Sequence, residues 1–325
     1  MNAHAEALAL HGVGKCYRGR GQTVQALDGV DLAVPAGTLF ALVGHNGAGK
    51  STLFKLLLGL IEPSAGRVTV GGVDVGGRQF RAVRRGIGYL PENLVLWDNL
   101  SGLETMRLFA RLKQAPAAEC EPLLERVGLG AAASRPVRGY SKGMRQRLGF
   151  AQALLGEPRL LLLDEPTTGL DPLAVREFYA ELDALRARGT TIVVSSHILA
   201  ELQERVDALA LLAQGRVHAQ GSVQALRERS AQPLRVQISG LPAAIAALAG
   251  SLPPGVRFVA RDGDRALLEC PRPQKMALLA RLAGAGLADL VIREPSLEDV
   301  YFGLQQHGHG AAPAAHAAAR QEVQA

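Results

Sequence analysis

Cysteine is scarce. The 325-residue chain has three, Cys16, Cys120 and Cys270, far apart and without metal-ligand spacing. That argues against a disulfide framework or a thiolate metal centre and reads as reduced thiols in a cytosolic protein. Long apolar runs are also missing, and no stretch approaches the roughly 20 residues that a bilayer-spanning helix needs. The start, Met1 to Leu10, has no basic cluster and carries Glu6, unlike a secretory signal. Blocks of one charge are lacking as well. The 36 Lys and Arg against 30 Asp and Glu give a formal net charge of +6, spread along the chain. Such a scattered excess fits an anionic ligand, a membrane surface or nucleic acid, and fits plain solubility better than any of them. What remains is a globular composition, 48% hydrophobic and 20% charged, long enough for one large domain and a smaller one.

The most informative stretch is Gly44-His45-Asn46-Gly47-Ala48-Gly49-Lys50-Ser51, which fits the phosphate-loop pattern G-x-x-x-x-G-K-[ST]. Ahead of it, Leu39 to Val43 reads as a buried parallel strand. Behind it, Lys50 to Leu60 reads as a helix with Leu53, Phe54, Leu57 and Leu60 at helical spacing. The glycines allow a sharp turn that brings backbone N–H groups close to phosphate oxygens. The helix N-terminus adds a favourable field for negative charge. Lys50 supplies a point charge for the outer phosphates and Ser51 a hydroxyl for Mg²⁺.

Leu8 to Tyr17 and Val30 to Val34 read as antiparallel strands at the edge of the core. Tyr17 is placed either to stack on a base or simply to pack, and its position does not separate the two. Gly66 to Gly72 reads as strand and turn, and Ile87 to Leu90 as a short strand ending at Pro91-Glu92-Asn93. From Asn93 to Gly139 the apolar spacing becomes helical, with Ser101 and Glu104 forming a capping box. This predicts a helical insertion into an α/β core. Ser141 reads as the N-cap of a further helix bearing Met144, Leu148, Ala151 and Leu155 on one face. Such a start can meet an anion or be an ordinary capped helix.

Leu160 to Leu163, followed by Asp164 and Glu165, reads as a central strand delivering two carboxylates to the sheet edge where ligands bind. Asp164 can hold Mg²⁺, and Glu165 can take a proton from an attacking water. Thr168 to Pro172 is a turn into a helix over 173–188. Thr190 to Ser195 is another buried strand, and His197 stands just past its end. A lone histidine is more often structural, but the parallel strand brings this one near the same edge. Ala208 to Leu212 and Arg216 to Ala219 read as a last small hairpin sheet, and Gly221 to Arg229 as a helix. Beyond Ser230 the pattern restarts in the order β-α-β-β-α-β, the arrangement of ferredoxin-like domains, with a final helix over 297–304. No catalytic cluster appears there. After Gln306 the chain is rich in Gly and Ala, with His307, His309 and His316, and reads as a disordered tail.

These segments, in this order, resemble the ATP-binding subunits of ABC transporters, from Leu8 to about Arg229. By that resemblance Tyr17 is the adenine-stacking aromatic, and Gly44 to Thr52 is the Walker A loop (Gly44, His45, Asn46, Gly47, Ala48, Gly49, Lys50, Ser51 and Thr52). Glu92 stands at the Q-loop, and Ser141 to Gly143 and Met144 at the signature. Asp164 and Glu165 are Walker B and its catalytic acid. Asp171 closes the D-loop, and His197 is the switch histidine. The implied fold is an α/β P-loop ATPase with a RecA-like core, an antiparallel β edge and a helical subdomain at about 93–156. The implied domains are 1–230, a ferredoxin-like accessory domain at 231–306, and a tail at 307–325. The implied cofactors are ATP and Mg²⁺, the ion held by Ser51, Asp164 and Glu92. Glu165, His197 and Lys50 are the implied catalytic set.

The resemblance also implies a head-to-tail homodimer working with an integral-membrane permease, located on the cytoplasmic face of the membrane and without nucleic acid. Pro295 to Tyr301 resembles the ending of ATPases with an ABC-2 type partner. Gly88 to Asn93 and Tyr140 to Pro172 resemble NosF-type ATPases of nitrous oxide reductase maturation, which are associated with copper-site assembly and a periplasmic partner protein. Two segments depart from the family. The signature reads Tyr140-Ser141-Lys142-Gly143-Met144 where Leu-Ser-Gly-Gly-Gln is usual, and Glu92 replaces a glutamine. An ABC-2 exporter of another cargo (drug, lipid or polysaccharide) is the first alternative. The others are a soluble ABC ATPase of ribosomes or DNA and a non-hydrolysing nucleotide sensor. A single cassette and a short insertion disfavour the ribosomal and DNA-repair readings, and Glu165 with His197 disfavours the sensor.

Overall fold

The computed structural model describes residues 6–19, 22–230 and 232–300. The chain divides into two units, the second starting at Val223. In order, the first unit contains β1 (Glu6–Arg18), β2 (Thr23–Pro35), β3 (Leu39–Val43), α1 (Lys50–Leu57), β4 (Ala65–Val70), β5 (Val73–Asp74), α2 (Phe80–Arg85) and β6 (Ile87–Leu90). It continues with α3 (Gly102–Lys113), α4 (Cys120–Arg126), α5 (Lys142–Leu154), β7 (Leu160–Asp164), α6 (Pro172–Ala187), β8 (Thr191–Ser196), α7 (Leu199–Leu202), β9 (Ala208–Ala213) and β10 (Arg216–Gly221).

Two sheets share one core. The first is antiparallel, in the order β2-β1-β4-β5, and the second is six-stranded, in the order β10-β9-β3-β8-β7-β6. All residues of β3, β7 and β8 are buried. Unbroken burial is what parallel pairing with both faces covered requires. α1 links the layers: its Leu53, Phe54, Leu56 and Leu57 belong to the same cluster as Leu8 and Val30 of the first sheet and Leu42, Leu162 and Val193 of the second.

Three sequence expectations are corrected. Ala208–Ala213 is not part of a separate small sheet; β9 pairs parallel with β3, Phe40 to Ala208 and Val43 to Leu211, which joins the hairpin to the central sheet. Its five buried residues Leu209–Ala213 need that cover. The strand expected over 30–34 is far longer, because Thr23 to Leu27 also pairs with β1 across several register shifts. The phosphate-loop helix stops at Leu57 rather than Leu60. There Gly59 takes φ +62, and the amides of Gly59 and Leu60 bond back to the carbonyls of Leu56 and Lys55. That is a Schellman ending, and it leaves Leu60 exposed.

The helical segment follows its capping signals. Ser101 accepts from the Glu104 amide while Glu104 accepts from the Ser101 amide, and Ser141 accepts from the Met144 amide to start α5. In the second unit α8 (Val223–Arg229), expected with the ATPase part, is followed by β11 (Leu234–Gly240), α9 (Pro242–Ala247), β12 (Arg257–Asp262), β13 (Arg265–Cys270), α10 (Lys275–Ala283) and β14 (Leu287–Arg293). The antiparallel order β12-β13-β11-β14 is the ferredoxin-like one. It closes over its own core of Leu234, Val236, Leu268, Leu278 and Leu282. Ser296 and Asp299 cap a final helical turn. The rest of that helix and the tail expected over 307–325, with His307, His309 and His316, lie outside the described residues.

Candidate active site

β3 and α1 are joined by six residues that turn the chain sharply. Gly47 and Gly49 take φ +83 and +111, angles that a side chain resists. The turn brings His45, Asn46, Gly47, Ala48, Gly49, Lys50, Ser51 and Thr52 around one cavity of about 270 Å³. Val24, Gln25 and Ala26 of β2 close one side, and Glu92, Asp164 and Glu165 another. The two carboxylates arrive there because β7 ends beside β8 in parallel register, Asp164 opposite Ser195.

Lys50 is buried, and its Nζ donates to the Gly44 carbonyl at 2.5 Å and lies 3.3 Å from Glu165 Oε1. His197 Nδ1 is 2.8 Å from the other oxygen of Glu165. Glu165 therefore sits between an ammonium and an imidazole. Its Oε1 has no hydrogen-bond partner among the described residues. Its backbone is at φ +49, a left-handed angle that costs a non-glycine residue on the order of 1–3 kcal/mol and persists only where the surroundings impose it. Ser195, fully buried, imposes part of it by accepting from the Glu165 amide at 3.0 Å and donating to Asp164 Oδ1 at 2.5 Å. Tyr89 of β6 is half-buried nearby. Burial first, then the charges of Asp164 and Glu92, push its phenol up to about 12.

Tyr17 pairs with Val24 across β1 and β2, which places it beside the cavity wall, partly exposed. The Lys15 ammonium lies 5.3 Å from its ring centre. Ser141 and Gly143 stand at the start of α5 and do not line the cavity. Asp171 does not line it either; its carboxylate caps α6 through the Ala174 amide. Sequence reasoning missed Ser195 and Gln146, whose Nε2 donates to the Pro166 carbonyl at 3.0 Å. A serine pair ending an apolar strand just before His197 was the available signal for the first. Nothing in the sequence marked the second, which is flanked by Arg145 and Arg147. A larger cavity of about 610 Å³, between Leu123, Leu154 and Leu185, abuts the residues that precede β7 and β8 and has no glycine loop.

The donor set fits a magnesium nucleotide. It offers a loop of backbone N–H groups, a buried ammonium, the Ser51 hydroxyl, the buried Asp164 carboxylate and an under-bonded Glu165 oxygen. A P-loop nucleoside triphosphatase is the class that this sheet and this site define. The family model described as ABC transporter matches residues 27–168. The chain is 36% identical over 308 residues to the daunorubicin resistance ATP-binding protein DrrA3 of Streptomyces coeruleorubidus, covering 92% of this chain and 95% of that one. It is 38% identical over 191 residues to the lantibiotic transport ATP-binding protein SrtF of Streptococcus pyogenes, covering 59% of this chain and 82% of that one. A solved ATP-binding subunit of an ABC transporter superposes with a TM-score of 0.63 at 35% identity, over 69% of this chain and 92% of that one. The chain belongs to the ATP-binding subunits of ABC transporters, an ATPase family that uses ATP with Mg²⁺.

Proposed function

We propose that Lys50, Glu165 and His197 carry out ATP hydrolysis and that this powers export through a separate ABC-2 type permease. The carrying observation is the placement of Glu165, with one oxygen on Lys50 and the other on His197. In this reading the Walker A amides and Lys50 hold the β- and γ-phosphates, and Ser51, Asp164 and Glu92 would hold Mg²⁺. The ion would neutralise phosphate charge when bound. Glu165 takes the proton of the attacking water, and His197 keeps the carboxylate oriented and reaches the γ-phosphate. Tyr17 faces the base. General-base help is worth ~10²–10⁴ in rate. Glu165→Gln is therefore expected to bind ATP yet release phosphate at least about a hundredfold more slowly. Turnover at the wild-type rate in that variant would falsify the assignment.

Ser141 and Gly143 lie outside the cavity, which supports their serving the nucleotide of a second copy in a head-to-tail homodimer, with Asp171 near that junction. Trp97 and Val95, exposed just after Glu92, are the surface proposed to meet the permease. Among the described residues no helix is long and apolar enough to cross a membrane. This fits a subunit held at the cytoplasmic face by its permease. Trp97→Glu is expected to abolish transport and leave basal hydrolysis intact; loss of both together would remove the docking assignment.

For the cargo, the blocks Gly88 to Asn93 and Tyr140 to Pro172 support nitrous oxide reductase copper-centre maturation with a periplasmic partner. The names of DrrA3 and SrtF favour a drug or peptide exporter instead. Deleting the gene and measuring the copper content of nitrous oxide reductase separates the two: an unchanged enzyme leaves the exporter reading.

A further inference from the structure

Glu165 is aimed by its backbone, and the backbone is held from two sides. Its amide is held by Ser195 and its own carbonyl by the Thr168 amide at 3.2 Å. The next residue is Pro166, which has no N–H to donate, so its carbonyl is what it offers as a further handle on the loop. Gln146 takes that handle: it is buried, on α5, and its amide donates to the Pro166 carbonyl at 3.0 Å. One helical turn earlier on the same face, Lys142 lies over Gly169. A Cβ at Gly169 would stand 2.8 Å from both Nζ and Cε of that lysine. The first two turns of α5 thus meet the loop that follows Glu165 at Pro166 and at Gly169.

We propose that Gln146 is a positioning residue for hydrolysis. Its amide sets the left-handed turn that points Glu165 between Lys50 and His197. Because Gln146 belongs to the helix that Ser141 caps, a shift of that helix start moves the carboxylate. The signature segment and the catalytic acid of the same subunit are mechanically joined through one side-chain amide. This rests on the assignment of Glu165 as the base.

The test is a double-mutant cycle on the full chain. Gln146→Leu, close in volume and without a donor, and Gln146→Asn, the same amide one methylene short, are each made alone and combined with Glu165→Gln. Phosphate release and the affinity for a fluorescent ATP analogue are measured together. In the wild-type background either variant is expected to lower kcat about tenfold with KM changed less than about twofold. With Glu165 already replaced, the same change is expected to cost less than about twofold, because a residue acting through Glu165 has nothing left to aim. An equal loss in both backgrounds, or an unchanged kcat in the single variants, overturns the proposal. If Glu165→Gln itself leaves turnover unchanged, the base assignment fails first; if it slows turnover and Gln146 does not, only the positioning role fails.

Discussion

Lys50 and Glu165 meet at 3.3 Å inside the cavity, so the carboxylate partners the ammonium proposed to hold phosphate. Two buried opposite charges compensate each other, and removing one leaves the other buried without its counter-charge. Lys50→Ala is therefore expected to lose nucleotide affinity by well over tenfold, because it removes the phosphate's cation and leaves Glu165 unbalanced; titration with a fluorescent ATP analogue checks it, and wild-type affinity would refute the role. That Lys50, Ser51, Asp164 and Glu165 share one cavity was legible in the sequence, because their placement is written in spacing: a loop of fixed length before a helix, two acids at the end of an apolar strand. Ser195 and Gln146 were not. Each acts through a hydrogen bond to a residue 20 to 30 positions away, and no local pattern encodes which strand or helix will lie alongside. Asp171 was read as a nucleotide contact, and its position at a turn into a helix equally described the cap it makes within its own subunit.

At the scale of elements, the capping signals read true because they are local. Ser101 and Glu104 form both bonds of the capping box, and Ser101→Ala is expected to cost about 1 kcal/mol. A chemical-denaturation midpoint shift with unchanged m-value is the check. The far end of the same helix carries a cost. Lys113 donates to the Leu155 carbonyl at 2.5 Å from a half-buried place, and burial lowers its ammonium from 10.5 to about 8, with Glu119 opposing in part. Below pH 8 the lysine is charged in both states and the folded form bears the whole penalty. Between pH 8 and 10.5 the unfolded chain holds more protons, so stability rises with pH across that window. Thermal melts are expected to show this rise in the wild type and to lose it in Lys113→Met. An equal rise in both would assign it to another group. The long β2 escaped the sequence because its register shifts interrupt alternation, and β9 because a hairpin signal says nothing about the outer neighbour of its first strand.

For the molecule as a whole, the order of the longer strands and helices was readable in both units, while the short β5, α2 and α7 were not, being too brief to show a period. The dividing point was less readable: α8 looked like the end of the ATPase part, yet the chain divides at Val223, the first residue of that helix. Sequence periodicity locates a helix but not the unit it groups with. The chain holds one phosphate loop and one signature segment, and the second does not reach the first within a subunit. In the proposed head-to-tail reading, a complete site uses two copies, each covering the nucleotide of the other. If Glu165 is the base as proposed, replacing it by glutamine keeps the side-chain volume, removes a negative charge from the phosphate cavity and is expected to hold the paired state by slowing hydrolysis. Light scattering of Glu165→Gln is the decisive measurement. With Mg²⁺ and ATP the particle is expected to have twice the subunit mass, and with ADP the single mass. A variant that binds ATP and stays at the single mass would contradict the paired site at its root.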